Sequence, residues 1–205
     1  MAVKDLTCHK SSSGGRLLPA AAAVFLLLSA SLAAAGQSPD VTVREEQGVY
    51  TVVARFVVDQ SPDVVLAVLT DYEQIPRFMP DVRTSIVRER AIGRTVVEQE
   101  AVSGVMMFSK RVHLVLEIQE HPGAIIFRDR CGRSFVRYEG SWRLSAQDGH
   151  TAITYELIAE PSFDVPGFML KRLFRRDSAQ MIGRLKQEIA ARALYPDGLT
   201  ARSPQ

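Results

Sequence analysis

Candidate acid–base side chains in this chain are His113, Arg111, Glu98, Glu100, Tyr138 and Tyr155, each of which falls in a segment patterned as a β-strand. Acid–base catalysis needs such groups to converge inside a pocket that excludes water. The strand alternation turns His113, Arg111, Glu98 and Glu100 toward solvent, whereas Tyr138 and Tyr155 share the apolar phase. No residue is therefore assigned a catalytic role. Metal chemistry has less support still: His113, His121 and His150 have no ligand spacing to one another or to a thiol pair. The sequence has no GxSxG, P-loop or dinucleotide-binding glycine pattern, and we expect no cofactor.

Residue types suited to holding an apolar ligand are better represented. The stretch LTDYEQIPRFMPDV, residues 69 to 82, puts Tyr72, Ile75, Phe78 and Met79 around Pro76 and Pro80. Turns ordinarily use Gly, Asn and Asp; here two prolines fix φ while the residues between them are large and apolar, so this connector should pack against something. Met106, Met107 and Phe108 follow Gly104, and with Met169 and Met181 they offer an adaptable, polarisable lining. Further along, KRLFRR at 171 to 176 interleaves cations with Phe168, Leu170, Leu173 and Phe174. That pattern fits a solvated helix face and also a helix resting on an anionic membrane, so residues 168–176 are a candidate for peripheral membrane contact.

These residues need elements to position them. VYTVVARFVVD is rich in β-branched residues and reads as a first strand; Ser61 as N-cap and Pro62 at the first position then open a short helix. From residue 82 to 160, six further strands alternate with turn signals at Gly93, Gly104, Pro122-Gly123, Gly132 and QDG. Val112, Leu114, Leu116 and Ile118 share one face of their strand, and Val136, Tyr138, Gly140, Trp142 and Leu144 share one face of theirs against Phe135, Arg137, Glu139, Ser141 and Arg143. Such alternation implies an antiparallel sheet packed on one side only. Its cover is the segment after Asp164 and Pro166, where Leu170, Phe174, Met181, Leu185 and Ile189 fall near one helical stripe. A helix of that length spans about 40 Å, enough to cross a whole curved sheet.

Composition agrees with a globular domain: 46% of the 205 residues are hydrophobic and 23% charged. Residues 1–35 combine Lys4, Lys10 and Arg16 with an uncharged run ending in Ala33 and Ala35, the layout of a cleaved export signal and hence of a periplasmic protein. The alternative is a membrane anchor formed by residues 17–35. Without that segment, 25 basic residues less three and 23 acidic less one leave 22 of each, so bulk charge gives no reason to expect a nucleic-acid partner. Cys8 lies within the leader, which leaves Cys131 without a disulfide partner. Residues 36–48 read as a polar linker, 49–195 as the domain and 196–205 as a disordered tail.

The order strand, short helices, six strands, long helix, with Leu69, Asp71, Glu73, Pro76, Phe78 and Pro80 in the pattern L-x-D-x-E followed by P-x-F-x-P, resembles the START-like (SRPBCC) superfamily, in its polyketide-cyclase and coenzyme-Q-binding branch. The resemblance covers roughly residues 49 to 194. It implies an α+β helix-grip fold: a seven-stranded curved antiparallel sheet wrapped around a long C-terminal helix, with two short helices after strand one. It also implies an apolar cavity between sheet and helix, and a hydrophobic small molecule as partner, a lipid, quinone or polyketide-like compound. The alternation places Leu114, Leu116, Tyr138, Trp142 and Tyr155 in that lining, with Leu170, Phe174, Met181 and Leu185 from the helix, Met106 and Phe108 from the methionine cluster, and Tyr72, Ile75, Phe78 and Met79 in the roof. Burying ~400 Å² of ligand would contribute on the order of 10 kcal/mol before the cost of association, so affinity needs no special polar contact. A cyclase or dehydratase using the same cavity is the alternative, and a protein-interaction domain with a filled core is a third.

Overall fold

The structure, a computed structural model, describes residues 39–105 and 108–194. The expected leader at 1–35, the tail at 196–205 and Met106 lie outside the described residues. Among the described residues no helix is long and apolar enough to cross a membrane.

Eight antiparallel strands form one sheet: β1 (Asp40–Glu46), β2 (Val49–Val58), β3 (Val82–Ala91), β4 (Arg94–Val105), β5 (Phe108–His121), β6 (Ala124–Asp129), β7 (Phe135–Gln147) and β8 (His150–Pro161). Their spatial order is β1-β2-β8-β7-β6-β5-β4-β3, so the chain runs as a meander from β3 to β8 and closes on β2. Helix α1 (Pro62–Leu69), a 3-10 turn at Tyr72–Gln74 and α2 (Ile75–Phe78) connect the two halves, and α3 (Gly167–Leu194) follows β8. This is the α+β helix-grip arrangement, with eight strands where the sequence suggested seven.

The added strand falls in the segment expected to be a linker. β1 pairs with β2 along its length, from Asp40 opposite Arg55 to Glu46 opposite Val49. Only Val43 is buried and Val41 half-buried, because an edge strand carries charge outward and its alternation is diluted by Asp40, Arg44, Glu45 and Glu46. The turn was equally concealed: Gln47 and Gly48 both take positive φ, 51° and 82°, as a two-residue hairpin requires, but Gln stands where Asn or Asp usually announces it.

Two smaller expectations also change. Ser61 occupies the N-cap of α1, but its side chain makes no capping bond. At the start of β7 the register shifts between Phe135 and Arg137, which turns Phe135 inward, 6% exposed, and leaves Val136 68% exposed, the reverse of a strict alternation.

The core lies between the concave face and α3. Val52, Ala54, Val97, Ile153 and Ala159 are buried on the sheet side, and Ile182, Leu185 and Ile189 on the helix side. Helix α3 rests on β1, β2 and β4 and on both short helices, touching the sheet toward its two edges. The central strands face it across open space.

Candidate ligand cavity

That space is a cavity of about 320 Å³, within the range of small-molecule sites. Its roof is the connector between α1 and β3. Thr70 ends α1 by returning both its amide and its hydroxyl to the Leu66 carbonyl, the hydroxyl at 2.9 Å. The chain then turns so that Tyr72 is buried, 4% exposed, and donates its hydroxyl to Glu120 Oε1 at 2.9 Å, an oxygen that also accepts from Thr95 at 3.0 Å. Burial first, and then the Glu120 carboxylate, push this phenol far above the usual tyrosine range. Asp71 Oδ2 pairs with Arg192 at 2.8 Å and ties the turn to the last part of α3. Pro76 sits in the first turn of α2, where its missing N–H costs nothing, and Ile75, Phe78 and Met79 face the cavity.

The floor comes from the inward phase of the central strands. Leu114 and Leu116 on β5, Tyr138 and Trp142 on β7 and Tyr155 on β8 all line it, as does Phe174, Met181 and Leu185 on α3. The rings form a connected surface: Trp142 and Tyr155 lie 4.4 Å apart between centroids, and Phe127 stacks near Tyr155 at 6.4 Å. Tyr155 is buried and Tyr138 half-buried in this wall. Burial pushes Tyr138 up to about 12, partly offset by its hydrogen bond with Tyr155, and burial together with Tyr138 raises Tyr155 well above the ordinary value. Both phenols are therefore neutral at physiological pH and can donate a hydrogen bond, but neither can act as a base there.

The remaining predicted residues stand elsewhere. Leu170 is buried and lines an adjoining void of about 80 Å³ under the first turns of α3, beside Phe163 and Leu173, and not the cavity itself. Phe108 begins β5, but its side chain, like Met106, lies outside the described residues. The reading missed Phe127 and Ile125 on β6, whose alternation is blurred by the intervening Ile126, and Phe135, which only the bulge brings inward. It also missed the polar rim, which no apolar stripe could reveal. Gln99 donates to Ser85 at 3.1 Å, Ser103 donates to Asp177 at 2.6 Å, and Arg184 reaches Asp81 at 3.5 Å.

His113, Glu98, Glu100 and Arg111 lie away from the cavity. His113 is held between Glu98 at 3.7 Å and Glu100 at 3.8 Å, its Nδ1 buried without a hydrogen-bond partner, and Glu98 is bound to Arg88 at 2.6 Å. Among the described residues no group of three or more His, Cys, Asp or Glu is placed to hold a metal ion.

Solved structures share this architecture. The aromatase/cyclase Zhui from Streptomyces sp. R1128 superposes with a TM-score of 0.62 at 17% identity, over 74% of this chain and 99% of its own. The STAR-related lipid transfer protein from Xanthomonas axonopodis gives 0.57 at 17%, over 75% and 99%. A START superfamily protein from Mycobacterium smegmatis gives 0.60 at 17%, over 69% and 97%. No curated protein matches the sequence significantly. The family model described as polyketide cyclase / dehydrase and lipid transport matches residues 58–186, which span β3 to β8, the roof and most of α3. By that match, and with the cavity in its fold, the chain belongs to the polyketide cyclase / dehydrase and lipid transport family.

Proposed function

We propose that the protein is an exported carrier that binds a hydrophobic small molecule, a lipid, quinone or polyketide-like compound, between its sheet and α3. One observation carries this reading: α3 touches the sheet toward its edges and leaves about 320 Å³ over the central strands, walled by side chains such as Leu116, Phe127 and Trp142. Leaving that volume open forgoes contacts a packed core would make, so an occupant that restores them binds by burial alone. Export rests on the basic, then apolar, N-terminal sequence. The first turns of α3 suit collection of the ligand at a membrane: Phe168 is 77% exposed, and Lys171, Arg172 and Arg175 project beside it, complementary to anionic lipid.

The test is mass spectrometry of organic extracts from protein purified without detergent. Recurrent recovery of one hydrophobic compound supports the carrier. Empty extracts, together with no uptake of neutral hydrophobic dyes, overturn it in favour of a domain that binds other proteins.

A second reading, a cyclase or dehydratase, is favoured by Tyr138 and Tyr155. Two protonated phenols in an apolar wall could hydrogen-bond a carbonyl oxygen as it gains charge during enolisation. This reading requires turnover of a poly-β-carbonyl substrate that falls in Tyr138→Phe and Tyr155→Phe.

A further inference from the structure

The cavity wall contains three charged side chains, Asp81, Asp177 and Arg184, and Arg184 is the one cation among the described residues that line it. Asp177 is already engaged: it accepts from Ser103 at 2.6 Å and pairs with Arg176 at 2.8 Å. Among the described residues Arg184 has a single polar partner, Asp81 Oδ2 at 3.5 Å, which is long for a charge-assisted bond. Asp81 is itself 65% exposed at its side chain, so solvent screens the pair and little holds it. A guanidinium offers five donors in a planar fork, and most of this fork is uncommitted among the described residues.

Its position matters as much as its partners. Arg184 is 32% exposed at its side chain, three residues from Met181 and next to Leu185 on the cavity face of α3, so the wall reaches solvent where Arg184 meets Asp81. From this rim the wall becomes apolar inward, toward Phe127 and Trp142. We infer that the natural ligand is an amphiphile with one anionic group, a carboxylate or phosphate, which Arg184 binds at the cavity mouth while the apolar part extends to the aromatic floor. The opposite orientation would bury an anion among side chains with no cation to receive it. Binding displaces only the Asp81 side chain, because the Asp81 carbonyl remains fixed by the Val102 amide at 2.8 Å. This inference rests on the cavity taking a hydrophobic ligand at all.

The experiment is displacement of Nile red, a neutral dye, from the purified protein by laurate, dodecyl phosphate, methyl laurate and dodecanol near neutral pH. Either anion should bind roughly tenfold more tightly than the ester or the alcohol, and the order of the two anions tells carboxylate from phosphate. Arg184→Gln should bring the anions down to the ester, while Arg55→Gln, exposed on β2 and away from the cavity, should change nothing. Asp81→Asn removes the competing carboxylate, so it should strengthen anion binding several-fold and leave the ester unaltered. Equal affinity of anion and ester in the unmodified protein overturns the inference, as does an anion preference that survives Arg184→Gln. Should Arg184→Gln disturb the helix, unchanged anion affinity in Asp81→Asn overturns it independently. If the ester binds and the anions gain nothing, the carrier reading stands and only Arg184 loses its role; if no amphiphile displaces the dye, both fall together.

Discussion

Phe127 on β6 is the cross-strand partner of Gly140 on β7, and its ring fills the place a side chain at 140 would take: a Cβ there would meet Phe127 Cζ at 2.6 Å and overlap the Glu156 carbonyl on β8. An aromatic ring laid over a strand glycine stays close to the sheet. The ring then sits between Tyr138, at 6.1 Å, and Tyr155, at 6.4 Å, and lines the floor of the cavity.

Gly140→Ala should therefore destabilise by about 2–4 kcal/mol, since one of the colliding atoms is backbone and cannot rotate away. Thermal unfolding should show this as a fall in Tm of roughly 5–15 °C. Gly149→Ala is the comparison: it has open space around it but a φ of 86°, so its cost comes from backbone strain and should be smaller. Equal costs would mean that the Phe127 contact does not constrain the floor.

Filling the cavity should separate stability from binding. Ala101 lines it from β4 and is half-buried, so Ala101→Phe adds a ring to existing space. The expected result is a Tm within a few degrees of the unmodified protein with dye uptake weakened at least about tenfold, because the new ring displaces ligand contacts without creating a clash. A large loss of stability would show that the volume is smaller than the structure gives.

The sequence revealed the frame of this site better than its details. Proline-bounded Tyr72, Ile75, Phe78 and Met79 and the alternating Leu114 and Leu116 were legible because burial writes a period into the chain, and all of them line the cavity. Phe135 was not legible, since a bulge resets the period within a single residue. The helix was read in part: Leu170, Leu185 and Ile189 bury as the stripe suggests, but Ser178 and Ile182 bury too, while Phe174 and Met181 stay half-buried because they face open space. Arg184 could not have been found. A long cation beside an apolar stripe looks the same whether it meets water or a cavity rim, and only the partner across the gap, Asp81, distinguishes the two.

The roof is fastened by Tyr72 donating to Glu120, and that bond should be measurable. Tyr72→Phe removes a half-buried hydrogen bond to a carboxylate, which costs about 1.5–3 kcal/mol, while leaving the ring in place. Glu120→Gln weakens the same bond from the other side and also the one from Thr95. A double-mutant cycle by chemical denaturation should give a coupling energy of about 1 kcal/mol or more. Additive effects would show that the roof is held by packing of the ring alone, and ligand exchange should then be insensitive to either change.

Alkaline pH should unfold the protein through the tyrosines of the cavity floor. Tyr138 has an ordinary value of 10 in the unfolded chain and is pushed up to about 12 in the fold by burial. Between those values the folded state keeps a proton that the unfolded state has released, so stability falls as pH rises. The contribution is fully present below about pH 10 and is lost progressively toward about pH 12. The shift corresponds to at most on the order of 3 kcal/mol for this half-buried group, and Tyr155, raised in the same direction, steepens the loss. Absorbance at about 295 nm should report tyrosinate appearing together with the loss of circular dichroism, because the phenols can ionise only when the cavity opens. In Tyr138→Phe the alkaline limb should move upward. Ionisation of the floor tyrosines well before unfolding, near their ordinary value, would show that water already fills the cavity, and the burial that drives ligand binding would be lost with it.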